Sequence, residues 1–178
     1  MFEDLGARTI DADRLAHEAL TKSSPVYPKI AKLFKEAGTA EGLDRKKIAE
    51  IVFENPSRRK ALEAIVHPYV FQRMLAEAAD SSQQVMVLEV PLLFETGFDT
   101  YCRETIVVKA NDQAVNERLK KQGFSPEQIE ARRRAQMALE EKVKKADVLI
   151  ENSGNLETTR RQVETYWKKI HAVLKGEK

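Results

Sequence analysis

Apolar residues recur three and four positions apart over most of this chain, and three short runs of nearly continuous apolar residues are set into that helical pattern. The runs are Val85-Met86-Val87-Leu88-Glu89-Val90, Thr105-Ile106-Val107-Val108 and Val148-Leu149-Ile150. Their β-branched content and flanking breakers predict buried strands of a parallel sheet. Arg8-Thr9-Ile10 predicts a fourth strand, after a helical turn at Phe2 to Leu5 that Gly6 closes. Helices are predicted between and after the strands. Asp13 to Leu20 carries Leu15, Ala16, Ala19 and Leu20 on one side, and Tyr27 to Ala37 carries Ile30, Leu33 and Phe34. Asp44 caps Arg45 to Phe53. Ser57 to Val66 and Tyr69 to Ala79 follow, divided at His67-Pro68. Further on come Asp112 to Gln122, Ser125 to Met137, Leu139 to Ala146 and Leu156 to Leu174. Ser125-Pro126-Glu127-Gln128 has the proline and the capping-box glutamine of a helix start.

Strands alternating with helices predict an α/β fold with a parallel sheet covered on both faces. Right-handed crossovers then place Asp11, Asp13, Glu89-Val90-Pro91, Lys109 and Asn152 near one edge of that sheet. The helices from Tyr27 to Ala79 are too long for a crossover and predict an insert above the edge, suited to holding a substrate. The expected division is a core of 1–24, 84–111 and 147–178, a helical substrate domain of 25–83 and a basic lid of 112–146.

Composition narrows the function classes. The chain has 178 residues, 42% hydrophobic and 33% charged, with a net charge of +2. Charges of both signs are interspersed, which argues against nucleic acid or a membrane surface as partner. The lone Cys102 excludes an internal disulfide and a cysteine-based zinc site. No run reaches the roughly 18 to 20 apolar residues of a membrane span, and no signal-peptide pattern opens the chain. A cytoplasmic protein is expected.

The chemistry concentrates at Ile10-Asp11-Ala12-Asp13-Arg14, where two carboxylates follow a strand and open a helix. On the residues alone, an active-site pair and a plain helix cap at Arg14 are equal readings. Glu89 ends a strand, as an acid beside a metal would. His67 has no partner at ligand spacing. Arg132-Arg133-Arg134 point in different directions on a helix, and Arg132 is favoured for phosphate because Gln136 lies one turn on, on the same side.

These residues resemble the motifs of the dephospho-coenzyme A kinase family. Ile10-Asp11-Ala12-Asp13 resembles its I-D-A-D, His67-Pro68 its His-Pro pair, and Pro91-Leu92-Leu93-Phe94-Glu95 its P-L-L-F-E. Ala131-Arg132 to Gln136 is similar to its lid R-x-x-x-Q, and Ala146-Asp147 to Asn152-Ser153-Gly154 to its A-D-x-V-I-x-N-x-G. Order and spacing agree from Phe2 to about Trp167. The resemblance implies a P-loop kinase fold and transfer of phosphate from ATP, accompanied by Mg²⁺, to the ribose 3′-hydroxyl of dephospho-coenzyme A, the last step of coenzyme A synthesis. It implies Asp13 as the group at the accepting hydroxyl, supported by Asp11. It also implies Arg118, Arg132, Gln136, Asn152 and Gly154 at ATP, and His67, Pro91, Leu92, Leu93 and Glu95 at the substrate.

The sequence departs from that pattern in two places. The family carries a strand and a Gly-Gly-x-x-x-Ser-Gly-Lys-Ser-type turn ahead of the helix that ends here at Gly6, and no Gly-x-x-x-x-Gly-Lys occurs in these residues. A misassigned start or a truncation is expected in preference to a natural remnant, because the other motifs are intact. Little or no kinase activity is expected of the 178 residues. In the lid, Gln122 stands where the family carries a second arginine, beside Lys120 and Lys121. Two other classes compete. A haloacid-dehalogenase-type phosphatase also uses D-x-D after a strand, but Arg14-Leu15 replaces its Gly-Thr. A non-catalytic coenzyme-A-binding module would bind dephospho-coenzyme A without ATP.

Overall fold

A computed structural model describes residues 1–176. Four short parallel strands alternate with eight α-helices. The order is β1 (Arg8–Asp11), α1 (Ala12–Ala19), α2 (Tyr27–Leu33), α3 (Arg45–Glu54), α4 (Pro56–Ala79), β2 (Met86–Glu89), β3 (Ile106–Lys109), α5 (Asp112–Lys121), α6 (Pro126–Arg134), α7 (Leu139–Lys145), β4 (Val148–Glu151) and α8 (Leu156–Leu174). The chain divides into two compact units, Arg8–Val90 in one and Met1–Ala7 with the chain from Pro91 onward in the other.

In the unit Arg8–Val90, β1 and β2 pair in parallel, Arg8 opposite Met86 and Asp11 opposite Glu89. Ile10, Leu15, Ala19, Ile30, Phe34 and Met74 are completely buried and form its centre. Sequence spacing predicts a break at His67-Pro68, yet α4 runs unbroken through Pro68. An internal proline costs a helix about 3 kcal/mol or more. Val66, Tyr69, Val70 and Met74 flank it on the buried face. Burial contributes about 1.5–3 kcal/mol per large apolar side chain, which exceeds that cost. Asn55 serves twice at the junction, as C-cap of α3 and as N-cap of α4, where its side chain accepts from Ser57 and Arg58 N–H. The helix predicted from Tyr27 to Ala37 instead stops at Leu33. Phe34 leaves helical geometry (φ −121°, ψ 53°), and Lys35–Ala37 form a separate 3-10 turn. The Arg58 guanidinium lies 4.7 Å over the Phe34 ring and donates to the Leu33 carbonyl, which satisfies the helix end.

In the other unit, β3 and β4 pair in parallel from Ile106 opposite Val148 to Lys109 opposite Glu151. The predicted N-terminal helical turn is a single 3-10 turn, Glu3–Leu5. Gly6 closes it in the left-handed region (φ 104°), donating to the Glu3 carbonyl. Phe2 packs edge-on to Tyr166 and against Trp167 of α8. Asp147 accepts from both the backbone N–H and the hydroxyl of Thr105, each at 2.8 Å, and so joins the starts of β3 and β4. Ser125 and Gln128 form the capping box that their spacing predicts.

The parallel strands flanked by helices that the sequence predicts are present, and they pair two and two. Burial follows from that pairing. Ile10 of β1 is fully buried, but no residue of the more apolar β2 is. Val108 of β3 stays 56% exposed although Ile150, opposite it on β4, is buried. β2 and β3 carry the apolar sequences of inner strands, yet each has one strand partner among the described residues.

Candidate active site

The Asp11/Asp13 ambiguity resolves at the start of α1. Asp11 has extended backbone and is the N-cap: its Oδ1 accepts from Asp13 N–H (2.8 Å) and Arg14 N–H (3.3 Å). The capping role therefore falls to the first aspartate. The Asp13 carboxylate is exposed and makes no hydrogen bond or ion pair among the described residues. It stands in the first turn of α1, where the helix dipole favours negative charge. Arg14, beside it, is turned to other partners, Glu18 at 2.5 Å and Glu77 at 3.1 Å. Arg73 joins the same network through Glu77 (3.1 Å) and Glu18 (3.7 Å). Burial opposes the charge on Arg14, but Glu77 and Glu18 outweigh it and hold the guanidinium more firmly protonated. The arginine next to Asp13 is thus occupied elsewhere. Glu89 ends β2 opposite Asp11, so three carboxylates share the carboxyl end of this small sheet. His67 lies on α4, with its ring stacked on Phe71 at 6.2 Å.

The Pro91–Glu95 loop lies in the other unit. It is braced from within by the Thr96 hydroxyl, which donates to the Leu92 carbonyl (2.7 Å), and by the fully buried Phe98, whose N–H donates to the Leu93 carbonyl (3.1 Å). Leu92 and Leu93 are half-buried. Glu95 Oε1 accepts from Met137 N–H and from the Lys142 ammonium, each at 2.8 Å. Lys142 also donates to the Pro91 carbonyl (2.9 Å) and lies 3.4 Å from Gln136 Oε1. Burial works to raise the Glu95 pKa, but Lys142 and the Met137 N–H outweigh it, and the carboxyl is held below its usual range.

The lid residues are arranged differently from the sequence expectation. α6 ends at Arg134 with Ala135 as its cap, so Gln136 sits beyond the helix and not one turn from Arg132 on a shared face. Just beyond the helix end, Met137 N–H donates to Glu95. The Arg132 guanidinium lies 4.5 Å over the Phe124 ring. Arg133 pairs with Asp112 (3.0 Å) and Asn116 (3.1 Å), and Arg134 with Glu130. The three arginines therefore diverge as their positions predict. Arg118 is exposed in the last turn of α5. Beyond β4, Asn152 N–H donates to the Lys109 carbonyl (2.6 Å) and its side-chain oxygen accepts from Thr159 (3.0 Å). Ser153 accepts from Asn111 N–H (2.8 Å), which ties the loops after β3 and β4 together. Gly154 is exposed, with open space where a Cβ would stand.

The structure thus gathers Asp11, Asp13 and Glu89 in one place, and Pro91, Glu95 and Gln136 in another. Lys142, which joins the second set, has no distinguishing signal in the sequence, where Lys144 and Lys145 look the same.

Comparison with known proteins identifies the family. The family model described as dephospho-CoA kinase matches residues 1–158. A dephospho-CoA kinase of Symbiobacterium thermophilum is 40% identical over 94% of this chain and 73% of its own. One from Carboxydothermus hydrogenoformans is 41% identical over 95% and 85%. Among solved structures, TT1252 from Thermus thermophilus superimposes with a TM-score of 0.78 at 34% identity, over 94% of this chain and 87% of that one. A dephospho-CoA kinase from Campylobacter jejuni gives 0.66 at 27% identity, over 99% and 89%. A family match over most of the length, with relatives about 40% identical over most of both chains, leaves one conclusion: the chain belongs to the dephospho-CoA kinase family.

Proposed function

We propose that the chain serves phosphoryl transfer from ATP to the ribose 3′-hydroxyl of dephospho-coenzyme A, with Asp13 at the accepting hydroxyl. The observation that carries this reading is the division of labour at α1: Asp11 caps the helix and leaves the Asp13 carboxylate exposed and unpaired. The hydroxyl oxygen bonds to the γ-phosphorus as the bond to the ADP oxygen breaks, and the hydroxyl proton passes to an Asp13 oxygen. Such transfers are governed by positioning and charge stabilisation, so one well-placed carboxylate suffices as base. Arg118 and Arg132 supply planar, permanently charged donors for phosphate, and Gln136 follows Arg132 by four residues. The turn at Asn152 and Gly154 is assigned to the nucleotide. His67 and the Pro91–Leu93 part of the loop are assigned to dephospho-coenzyme A, with Glu95 as the loop's anchor.

Mg²⁺ accompanying ATP would neutralise phosphate charge, and Asp11 with Glu89 opposite it are the carboxylates suited to hold it through water. These 178 residues contain no Gly-x-x-x-x-Gly-Lys cradle. We therefore expect them, by themselves, to bind dephospho-coenzyme A and to turn over little ATP. A cytoplasmic location fits the free Cys102. Among the described residues no helix is long and apolar enough to cross a membrane.

The residues after Asp13 bear on the phosphatase reading. That class, with a nucleophilic first aspartate, carries Gly-Thr after the second, whereas Arg14-Leu15 stands here, with Arg14 paired to Glu18 and Glu77. The deciding experiment compares Asp13→Asn with wild type in a form carrying a Gly-rich Lys-Ser/Thr loop, by ADP release and by calorimetric ATP binding. Turnover should fall by about 10²–10⁴-fold with ATP affinity little changed. Undiminished turnover would refute the role of Asp13.

A further inference from the structure

Lys142 differs from its neighbours in burial. Lys144 and Lys145 are exposed, while the Lys142 side chain is 12% exposed and that of its partner Glu95 is 19% exposed. A sunken ammonium is tolerated when its donors are filled. Lys142 has three oxygens for three protons: Glu95 Oε1 (2.8 Å), the Pro91 carbonyl (2.9 Å) and Gln136 Oε1 (3.4 Å). The acceptors come from two distant stretches of chain. Pro91 and Glu95 are the two ends of one loop, and Gln136 belongs to the connection between α6 and α7. Glu95 closes the ring by accepting from Met137 N–H in that same connection (2.8 Å). The loop therefore cannot shift by an ångström against the root of α6 without breaking hydrogen bonds to a half-buried charge.

We propose that Lys142 is a positioning residue. It fixes the Pro91–Glu95 loop to the α6–α7 connection, so that dephospho-coenzyme A seated on the loop and the arginine-bearing helix α6 are held in one arrangement. Lys142 acts through Glu95 and Pro91 and does not itself touch the substrate. The inference rests on the assignment of this loop to dephospho-coenzyme A.

The test uses the full chain with Lys142→Met, Glu95→Gln and the double variant, after circular dichroism has shown that each is folded. Hydrogen exchange without ligand should speed up at least tenfold in both 91–98 and 135–138 in Lys142→Met. Calorimetric affinity for dephospho-coenzyme A should weaken about tenfold in each single variant, and the double variant should be no weaker than the worse single one. A Lys142→Cys chain in a Cys102→Ser background supplies a rescue. Alkylation with 2-bromoethylamine restores a lysine-like ammonium, while bromoethane gives a neutral side chain of similar length. Affinity should return with the first and not with the second. Unchanged exchange in the two segments, additive losses, or equal affinity of the two adducts would overturn the proposal. Failure of the wild-type chain to bind dephospho-coenzyme A would overturn the substrate reading instead, and the exchange measurement would still decide whether Lys142 couples the two segments.

Discussion

Replacing Asp11 and Asp13 by alanine, one at a time, should separate a structural carboxylate from a chemical one two positions away. Asp11 Oδ1 satisfies two N–H groups at the start of α1, at 2.8 and 3.3 Å. Losing such a cap costs about 0.5–2 kcal/mol. The cost should be felt in full, because α1 is anchored by Leu15 and Ala19, both completely buried. Asp13 has no side-chain partner to lose. Removing a first-turn carboxylate costs about 0.3–1 kcal/mol, and the better helix propensity of alanine returns up to about 0.7 kcal/mol, so the net change should be near zero. Asp11→Asn is the control, since asparagine caps as well as aspartate. Urea unfolding followed by far-UV ellipticity gives the comparison through the midpoint shift. Asp11→Ala should be destabilised by about 1 kcal/mol, with Asp11→Asn and Asp13→Ala close to wild type. If Asp13→Ala lost as much as Asp11→Ala, or if Asp11→Ala lost nothing, the division of labour between the two aspartates would be wrong, and with it the argument that frees Asp13 for chemistry.

Acid should destabilise the fold in a definite window. Glu95, Asp147, Glu36, Glu127 and Glu151 are all held below their ordinary pKa values in the folded chain. Their stabilisation is fully present above the unfolded carboxylate range near about pH 4–4.5 and is lost as pH falls through the lower folded values. The thermal midpoint should therefore drop between about pH 4.5 and pH 3, less steeply in Glu95→Gln and Asp147→Asn, and a flat profile would contradict the assignment. Pro68→Ala should stabilise α4: it restores a helical N–H worth about 3 kcal/mol and gives up at most about 1 kcal/mol of unfolded-state restriction, a net gain of about 2 kcal/mol. A lower urea midpoint for that variant would show that Pro68 is needed where it stands.

Much of the local structure is legible along the chain because its hydrogen bonds close within a few residues. Asp44 accepts from Lys46 and Lys47, Asn155 from Thr158, and Ser125 exchanges bonds with Gln128, each at the helix start the sequence marks. The bounds of α8 follow directly from its apolar spacing. Pro68 misleads because a proline signals a break only when the flanking faces are free to part, and here they are buried together.

The candidate site divides along the same line. The sequence by itself determined the carboxylate pair after β1, the Pro91–Glu95 loop, the arginine-rich helix and the strand-end turn at Asn152, since each is a contiguous motif whose residue types carry its chemistry. The tertiary structure alone decided that Asp11 caps while Asp13 stays free, that Gln136 falls outside α6, and that Lys142 rather than Lys144 or Lys145 is buried. Those outcomes depend on partners far along the chain, such as Lys142 with Pro91 and Met137 with Glu95, separated by 51 and 42 residues. Spacing in a sequence encodes which side chains share a face, but the partner of a buried charge is fixed only when packing removes water from one lysine and leaves it around the others.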